Sequence, residues 1–195
     1  MSAHTAKMLV DGYGFIIPNQ VYDEANDCYI QGNAGRIKRV AGSLIRPNDT
    51  TAYSALDCIN DSSSAGTLQS IENCARISGG AGYIVYARLT TNNKNNTARH
   101  KVHIYSQSVS AVNDNAGFPI LWANRAKKVC EITLDAMSTE NSGASDAANV
   151  QKTDLFIPFE CAAGSRSLYY MIETLDARTP SAQEEFYLEL GVDQS

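Results

Sequence analysis

The residues that could act as nucleophiles or bind a metal are spread along the chain without a catalytic spacing. The five cysteines form no C-x-x-C pair, and their odd number does not suit a disulfide framework: Cys28, Cys58, Cys74, Cys130 and Cys161. His100 and His103 lie three residues apart, so on one strand they point to opposite faces and cannot hold one metal ion. We therefore predict reduced, buried thiols and neither a metal nor a cofactor.

Other motifs with catalytic potential are equally incomplete. No serine lies in a G-x-S-x-G sequence. Gly79, Gly80 and Gly82 lead directly into a β-pattern, which predicts a tight turn instead of a phosphate-binding loop. The segment 112–117 resembles a calcium loop but lacks its closing glutamate. We predict no enzymatic activity, although two carboxylates that meet only in space would leave a β-sandwich hydrolase as an alternative.

The segment "IRPNDTTAYSALDCIN" (45–60) is the densest group of turn-forming residues next to apolar ones. Proline fixes its own φ and gives no backbone N–H, and the carboxylate of Asp49 can accept a hydrogen bond from the amide of Thr51. The pattern predicts a strand, a corner and a second strand. We identify a candidate corner of five residues, which could serve as scaffold or as a contact surface: Arg46, Pro47, Asp49, Thr51 and Tyr53.

The composition of the chain argues against two classes of partner, nucleic acids and membranes. The chain has 195 residues and a formal net charge of -5, and its 16 Lys and Arg residues are scattered, which argues against nucleic-acid binding. No segment approaches the ~20 consecutive apolar residues of a membrane helix, and the first residues show no secretory-signal pattern. We expect synthesis in a cytoplasm, with no membrane partner.

Alternation with a period of two dominates the chain and predicts an all-β fold. The predicted strands are 35–45, 70–78, 82–90, 100–107, 128–134, 153–160, 167–175 and 184–192. About eight strands separated by long polar loops are typical of a two-sheet antiparallel sandwich or a barrel. We predict one β-sandwich domain over 35–195, preceded by an arm or first strand over 1–34.

Three finer predictions follow from local patterns. The polar tip between 82–90 and 100–107 predicts that these strands form a long hairpin. The segment 137–152 is small and polar, which predicts a surface loop. The segment 108–127 carries Trp122, and we expect it to pack over one end of the core with a helical turn near 124–128.

Three segments, taken together and in order, resemble a family of small structural proteins of tailed bacteriophages. They are "RPNDTTAYSALDCIN" (46–60), "GGAGYIVYARLT" (79–90) and "HIYSQSVSAVNDNAGFPILWANRAKKVCEITL" (103–134). The family carries an Arg-Pro-x-Asp-Thr-Thr-x-Tyr box, a glycine-rich entry into a strand ending Ala-Arg-Leu, and an Asp-Asn-Ala-x-Phe segment. This chain departs from the family at "ALD" (55–57), where Ala-Gly-Asp is common, and in a longer amino-terminal segment.

The resemblance implies a capsid decoration (cement) protein with a jelly-roll-like sandwich, located on the exterior of the virion capsid. It also implies a homotrimer that binds the major capsid protein, and it carries over no catalytic residue. Under this interpretation Asp49 caps the corner, and Tyr53 packs at the edge of the core with its hydroxyl on the backbone. Glycines beside aromatic residues in the amino-terminal arm suggest an anchor that orders on binding, and the candidate capsid contacts are Tyr13, Phe15 and Ile16. A lectin-like module of the tail or fibre, binding host glycans, is the alternative function.

Overall fold

The computed structural model describes residues 20–23, 28–31, 37–139 and 146–194. The chain divides into two units, residues 1–36 and residues 37–195. In the first unit, β1 (Gln20–Asp23) pairs antiparallel with β2 (Cys28–Gln31). The candidate capsid contacts Tyr13, Phe15 and Ile16 lie outside the described residues.

Ten strands of the second unit form two antiparallel sheets. In chain order they are β3 (Ile37–Ile45), β4 (Cys58–Ile59), β5 (Gln69–Ile71), β6 (Ala81–Thr91), β7 (His100–Tyr105), β8 (Lys128–Leu134), β9 (Ala148–Lys152), β10 (Ile157–Glu160), β11 (Leu168–Thr174) and β12 (Glu185–Gln194). The first sheet has the order β3-β12-β6, with β9 and β10 both on the far edge of β6. The second has β11-β7-β8, with β4 and β5 both on the free edge of β11. The predicted all-β, two-sheet antiparallel sandwich is confirmed.

The winding of the sheets is that of a jelly roll. Because β4 and β5 share one edge of β11, they act as one interrupted strand, and β9 and β10 do the same along β6. Numbered in this way, the eight strand positions have the order 1-8-3-6 in the first sheet and 2-7-4-5 in the second, so every consecutive pair except 4 and 5 crosses from one sheet to the other. This is the eight-stranded double Greek key of jelly-roll domains.

Alternation along the strands builds the core between the sheets. In β12, Phe186, Leu188 and Leu190 are buried, whereas Tyr187 between them is exposed. The same period puts Val102 and Ile104 of β7 inside, in one core cluster with the buried side chains of β12 from the other sheet. The core therefore consists of the inward side chains of both sheets, as the alternation predicts.

The predicted hairpin between 82–90 and 100–107 is wrong. Strand β6 pairs with β12, β9 and β10, and β7 pairs with β11 and β8, so the two consecutive strands belong to different sheets. The polar segment 92–99 therefore crosses from one sheet to the other. Turn-forming residues show where the chain reverses, but they do not determine which strand supplies the hydrogen-bonding partner.

Two predicted strands are shorter or interrupted. The strand expected over 153–160 is reduced to β10, because Asp154 has a φ of 58°. Strand β9 precedes it, so the surface loop predicted over 137–152 is wrong for residues 148–152. The strand expected over 70–78 ends at Ile71, and Asn73 has a φ of 59°. A positive φ breaks the pleat, and Asn and Asp tolerate it better than other non-glycine residues.

The outer side of the second sheet is covered by the segment 106–127. Tyr105, Val109 and Met171 form a small buried cluster there, and Phe118 packs against it. The segment ends in a single 3-10 turn at Trp122–Asn124, slightly earlier than the predicted helical turn. No helix within the described ranges is long and apolar enough to cross a bilayer.

Candidate functional site

The predicted corner is built around a fully buried arginine. Arg46 follows the end of β3, and its side chain is only 2% exposed. Its Nη2 lies 2.9 Å from Asp114 Oδ2, and its Nε donates to the hydroxyl oxygen of Tyr53. The hydroxyl of Tyr53 in turn donates to Asp114 Oδ1 at 2.5 Å. These three residues, which we call the ionic corner, satisfy a charge that would otherwise be costly to bury.

The ionic corner fixes the segment that covers the second sheet. Asp114 Oδ1 also accepts a hydrogen bond from the backbone N of Asn60 at 2.8 Å. Next to it, the 115–118 backbone runs beside β4 and its approach, with hydrogen bonds from Asn115 N to Cys58 O (2.9 Å) and from Phe118 N to Leu56 O (2.9 Å). The covering segment is therefore attached at both its polar and its aromatic residues.

The other corner residues have structural roles as well. The amide of Thr51 donates to Asp49 Oδ1 at 3.0 Å, and this hydrogen bond holds the pKa of Asp49 below its usual range. The carbonyl of Pro47 accepts hydrogen bonds from Asp49 N at 2.9 Å and from Gln183 N at 3.1 Å. Tyr53 differs from the prediction, because its hydroxyl contacts two side chains and no backbone group. Burial among these groups raises the pKa of Tyr53 far above its ordinary value.

A second buried ion pair lies beside the ionic corner. Arg178 Nη1 contacts both carboxylate oxygens of Glu184, at 3.0 and 2.9 Å. Its guanidinium carbon lies 5.3 Å from the ring centroid of Tyr53 and 5.5 Å from that of Phe186. Glu184 Oε1 also accepts from Thr91 Oγ1 at 3.0 Å. The pair therefore connects the end of β6 to the corner.

The outer face of the first sheet is organised around Glu189. Its carboxylate accepts from Arg39 Nη2 at 2.6 Å, from Arg88 Nη2 at 3.1 Å and from Tyr86 Oη at 2.8 Å. Tyr86 lies over Gly191, where a Cβ would come within 2.1 Å of its ring. Three strands are thus tied across their outer face by one carboxylate.

The two histidines have separate environments, as their spacing predicts. His100 is fully buried against Phe186, and burial together with the nearby Arg178 cation lowers its pKa to about 3. His103 lies on the opposite face, where its Nε2 is 2.8 Å from Glu173 Oε2 and its ring stacks on Phe118 at 4.0 Å. Burial also lowers the pKa of His103.

In the part of the chain that the structure describes, few ionisable groups are both unpaired and in a protonation state suited to catalysis. Each buried carboxylate there contacts a cationic or imidazole group: Asp114, Glu173, Glu184 and Glu189. Burial raises the pKa of Cys74 and Cys130 to about 12, so these thiols remain protonated at neutral pH. No group of three potential metal ligands occurs among the described residues. The four buried carboxylates are therefore paired within the fold.

The exterior offers a different kind of site. Ile120, Leu121 and Trp122 are 75%, 48% and 78% exposed, and we call them the apolar ledge. This position contradicts the expectation that Trp122 packs over the core. Phe118 already covers His103 on the outer side of the second sheet, and the chain turns outward after it. A half-open cavity of about 520 Å³ lies between the ledge and β8.

The ledge is held in place by its own neighbours. The guanidinium carbon of Arg125 lies 4.4 Å from the ring centroid of Trp122, and Arg125 Nη1 donates to the carbonyl of Trp122 at 3.0 Å. Lys127 Nζ donates to the carbonyl of Ser108 at 3.0 Å. An apolar surface that is preorganised in this way is typical of a binding site. Sequence analysis missed it because a tryptophan in a mixed segment more often fills a core.

Comparison with known proteins does not place the chain in a family. No family model and no curated protein matches it. Among solved structures it is similar to the K3 cleaved adhesin domain of Lys-gingipain from Porphyromonas gingivalis W83, with 12% identity, a TM-score of 0.29 and coverage of 71% of this chain and 74% of that one. It is also similar to the structure of Triatoma virus, with 12% identity, a TM-score of 0.30 and coverage of 99% and 83%. Likenesses at these scores carry no argument about function.

Proposed function

We propose that this chain is a structural protein of a tailed-bacteriophage virion, a decoration protein that binds the outer surface of the head. The observation that carries the proposal is the apolar ledge, a rigidly held and exposed apolar surface on a sandwich whose buried charges are paired internally. Such a molecule works through its exterior. The resemblance over 46–60, 79–90 and 103–134 supports the assignment to a phage head.

The mechanism follows from mass action. A protein that binds the assembled shell and not its dissociated subunits stabilises the shell by RT ln(1 + [L]/Kd), about 2.7 kcal/mol per site at a hundredfold excess over Kd. The proposed partner is the major capsid protein, and the proposed assembly is a homotrimer. In a trimer, the second and third contacts form at a high effective concentration, so modest individual contacts suffice.

The proposal is tested on heads that lack the protein. Purified protein is added to heads from a phage in which its gene is deleted, and both co-sedimentation and the thermal disruption temperature of the heads are measured. We expect saturable binding and a higher disruption temperature. Binding to dissociated capsid subunits as strong as binding to heads, or no binding to either, would refute a decoration role.

The amino-terminal arm is the proposed anchor, with Tyr13, Phe15 and Ile16 as contacts. The matched variant lacks residues 1–20, and its control is the full-length protein in the same binding experiment. We expect the truncated chain to keep its thermal unfolding transition and its oligomeric state while losing its affinity for heads. Wild-type occupancy by the truncated chain would rule out the arm as the anchor.

A lectin-like module of the tail or fibre is the second candidate, because it predicts an exposed aromatic side chain, and Trp122 is one. Trp122 is the only tryptophan of the chain, so its fluorescence reports directly on this position. Titration with glycans of the host surface should leave the emission unchanged if the protein decorates heads. A saturable change in emission would favour the lectin instead.

A further inference from the structure

A second exposed apolar patch lies on the other outer face of the sandwich. Phe156 is 73% exposed and stacks on Tyr83, with ring centroids 4.2 Å apart and an interplanar angle of 13°. Tyr83 alternates along β6 with the buried Ile84, so the pair lies on the outer side of the first sheet. We call Phe156 and Tyr83 the aromatic knob.

The apolar ledge and the aromatic knob carry opposite charges. The stretch 120–128 contains three cations and no carboxylate, whereas 153–160 contains two carboxylates and no cation. The ledge cations are Arg125, Lys127 and Lys128, and the knob carboxylates are Asp154 and Glu160.

Neighbouring charges leave this difference in place. Lys128 pairs with Glu131, the one carboxylate that lines the ledge cavity, so the four charged groups around the ledge sum to a net charge of +2. On the knob side, Lys152 precedes Asp154 and its Nζ donates to the carbonyl of Thr133 at 3.2 Å, so the three charged groups of 152–160 sum to a net charge of -1. A positive ledge within a chain of net charge -5 is therefore attracted to the acidic part of an identical chain.

The two patches can be used at the same time. The ledge cavity is lined by Tyr105 and Glu131, which lie on the outer side of the second sheet, and the knob lies on the outer side of the first. One molecule can thus present its ledge to one neighbour and its knob to another. A contact between two different patches is head-to-tail, and repetition closes a ring when the rotation allows it.

We propose that the apolar ledge of one copy of this chain binds the aromatic knob of a second copy. The contact places Phe156 in the cavity beside Trp122, with the carboxylate of Asp154 facing Arg125 and Lys127, because Lys128 pairs with Glu131 and lines a cavity with Glu160 of its own chain. The inference names the surfaces of the homotrimer on which the proposed function rests. It is tested on the free protein, so a failure of head binding leaves it standing.

The experiment uses two complementary variants. The ledge variant carries Ile120→Ser and Trp122→Ser, and the knob variant carries Phe156→Ser. The control is Ile77→Ser, which removes an apolar side chain that is 68% exposed and lies in neither patch. Because these side chains are exposed, each variant should keep the wild-type unfolding temperature, which is checked first.

Light scattering gives the first readout. We expect the wild type and Ile77→Ser to self-associate. The dissociation constant for self-association of each patch variant should be at least about 30-fold higher, which is the effect of removing a hot-spot side chain from an interface. Added salt should weaken the wild-type association, because opposite charges attract across the contact. A wild type that stays at the 21.1 kDa of one chain at every concentration, or a knob variant that associates as well as the wild type, overturns the proposal.

Tryptophan fluorescence gives the decisive readout. The ledge variant has lost the only tryptophan and is silent, whereas the knob variant keeps Trp122 on an intact ledge. Titrating the knob variant with the ledge variant should shift the Trp122 emission to the blue and saturate. A chain with both patches substituted should cause no shift. Two outcomes would overturn the self-contact. One is that the ledge variant causes no shift. The other is that the ledge variant loses head binding while the wild type remains monomeric, which would assign the ledge to another partner.

Discussion

Single residues show how this chain uses its charged groups. Arg46 is the largest fully buried side chain of the described residues, and its partner Asp114 is 68 positions away in the covering segment. Replacing one member of such a pair exposes the other to an environment that cannot solvate it. We therefore infer that the corner is a scaffold, and its disruption should cause a large, measurable loss in the free energy of unfolding.

The first prediction concerns Asp114→Ala. Loss of the carboxylate leaves Arg46 buried without its ion pair, so we expect the free energy of unfolding to fall by about 3–5 kcal/mol. The matched control Tyr53→Phe removes one hydroxyl and keeps the ion pair, and it should cost about 1–2 kcal/mol. Urea denaturation measures both. If the two variants lose the same free energy, the ion pair is not the dominant element of the corner.

A second prediction separates the scaffold role of the corner from a capsid contact. Asp49 is partly exposed and caps Thr51, so Asp49→Ala should lower the free energy of unfolding by about 1 kcal/mol or less. Head binding measured by co-sedimentation should not change. A variant as stable as the wild type that no longer binds heads would show that the corner touches the capsid.

A third prediction concerns pH. The pKa of His100 is about 3 in the folded protein, below its unfolded value near 6.5, so below about pH 6.5 the unfolded state binds the additional proton. The contribution of His100 to the free energy of unfolding is fully present above pH 6.5 and is lost as the pH falls toward 3. Between pH 7 and pH 4.5 the loss should be about 3 kcal/mol, and the lowered pKa of His103 acts in the same direction.

Urea denaturation at pH 7, 5.5 and 4.5 measures this dependence. His100→Leu should reduce it by the His100 contribution, whatever its effect on stability at pH 7. His103→Gln, at a histidine on the opposite face, should remove only the His103 contribution and leave that of His100 in place. An unchanged pH dependence in His100→Leu would mean that the histidine is protonated in the folded protein.

At the scale of elements, the strand periodicity could be predicted from the sequence, but the partners of the strands could not. Alternation identified β12 and β8 almost to the residue, because an apolar side chain recurs at every second position of each. The chain crosses from one sheet to the other between β6 and β7. No local sequence pattern predicts to which sheet each of these strands belongs. The ion pair between Arg46 and Asp114 could not be predicted either, because the sequence of a polar loop does not indicate which of its carboxylates is buried.

A fourth prediction tests a close approach of the two sheets at Gly42. A Cβ at Gly42 of β3 would lie 2.8 Å from both the carbonyl oxygen of Ser70 and the ring of Tyr170. The backbone of Ser70 cannot shift without a large energetic penalty, so Gly42→Ala should lower the free energy of unfolding by about 1–3 kcal/mol. Gly117→Ala is the control, because nothing lies within 4 Å of its Cβ position. Equal unfolding free energies for the two variants in urea would show that the sheets do not meet at Gly42.

At the scale of the whole molecule, the jelly roll separates the core from the surfaces at which we propose binding. Its two inward faces form the core, and its two outward faces carry the apolar ledge and the aromatic knob at different positions. The exposed position of Trp122 could not be predicted from sequence, because the same apolar triplet would suit a buried loop. The residues with catalytic potential have no catalytic spacing, and on that ground the sequence predicts a protein that acts through its surface.

The most direct test of the decoration role is a reconstruction of the phage head with and without this protein. We predict difference density of the size of a jelly roll on the outer surface of the shell, in groups of three, that disappears when the gene is deleted. Difference density confined to the tail or its fibres, or identical heads in the two reconstructions, would contradict the account.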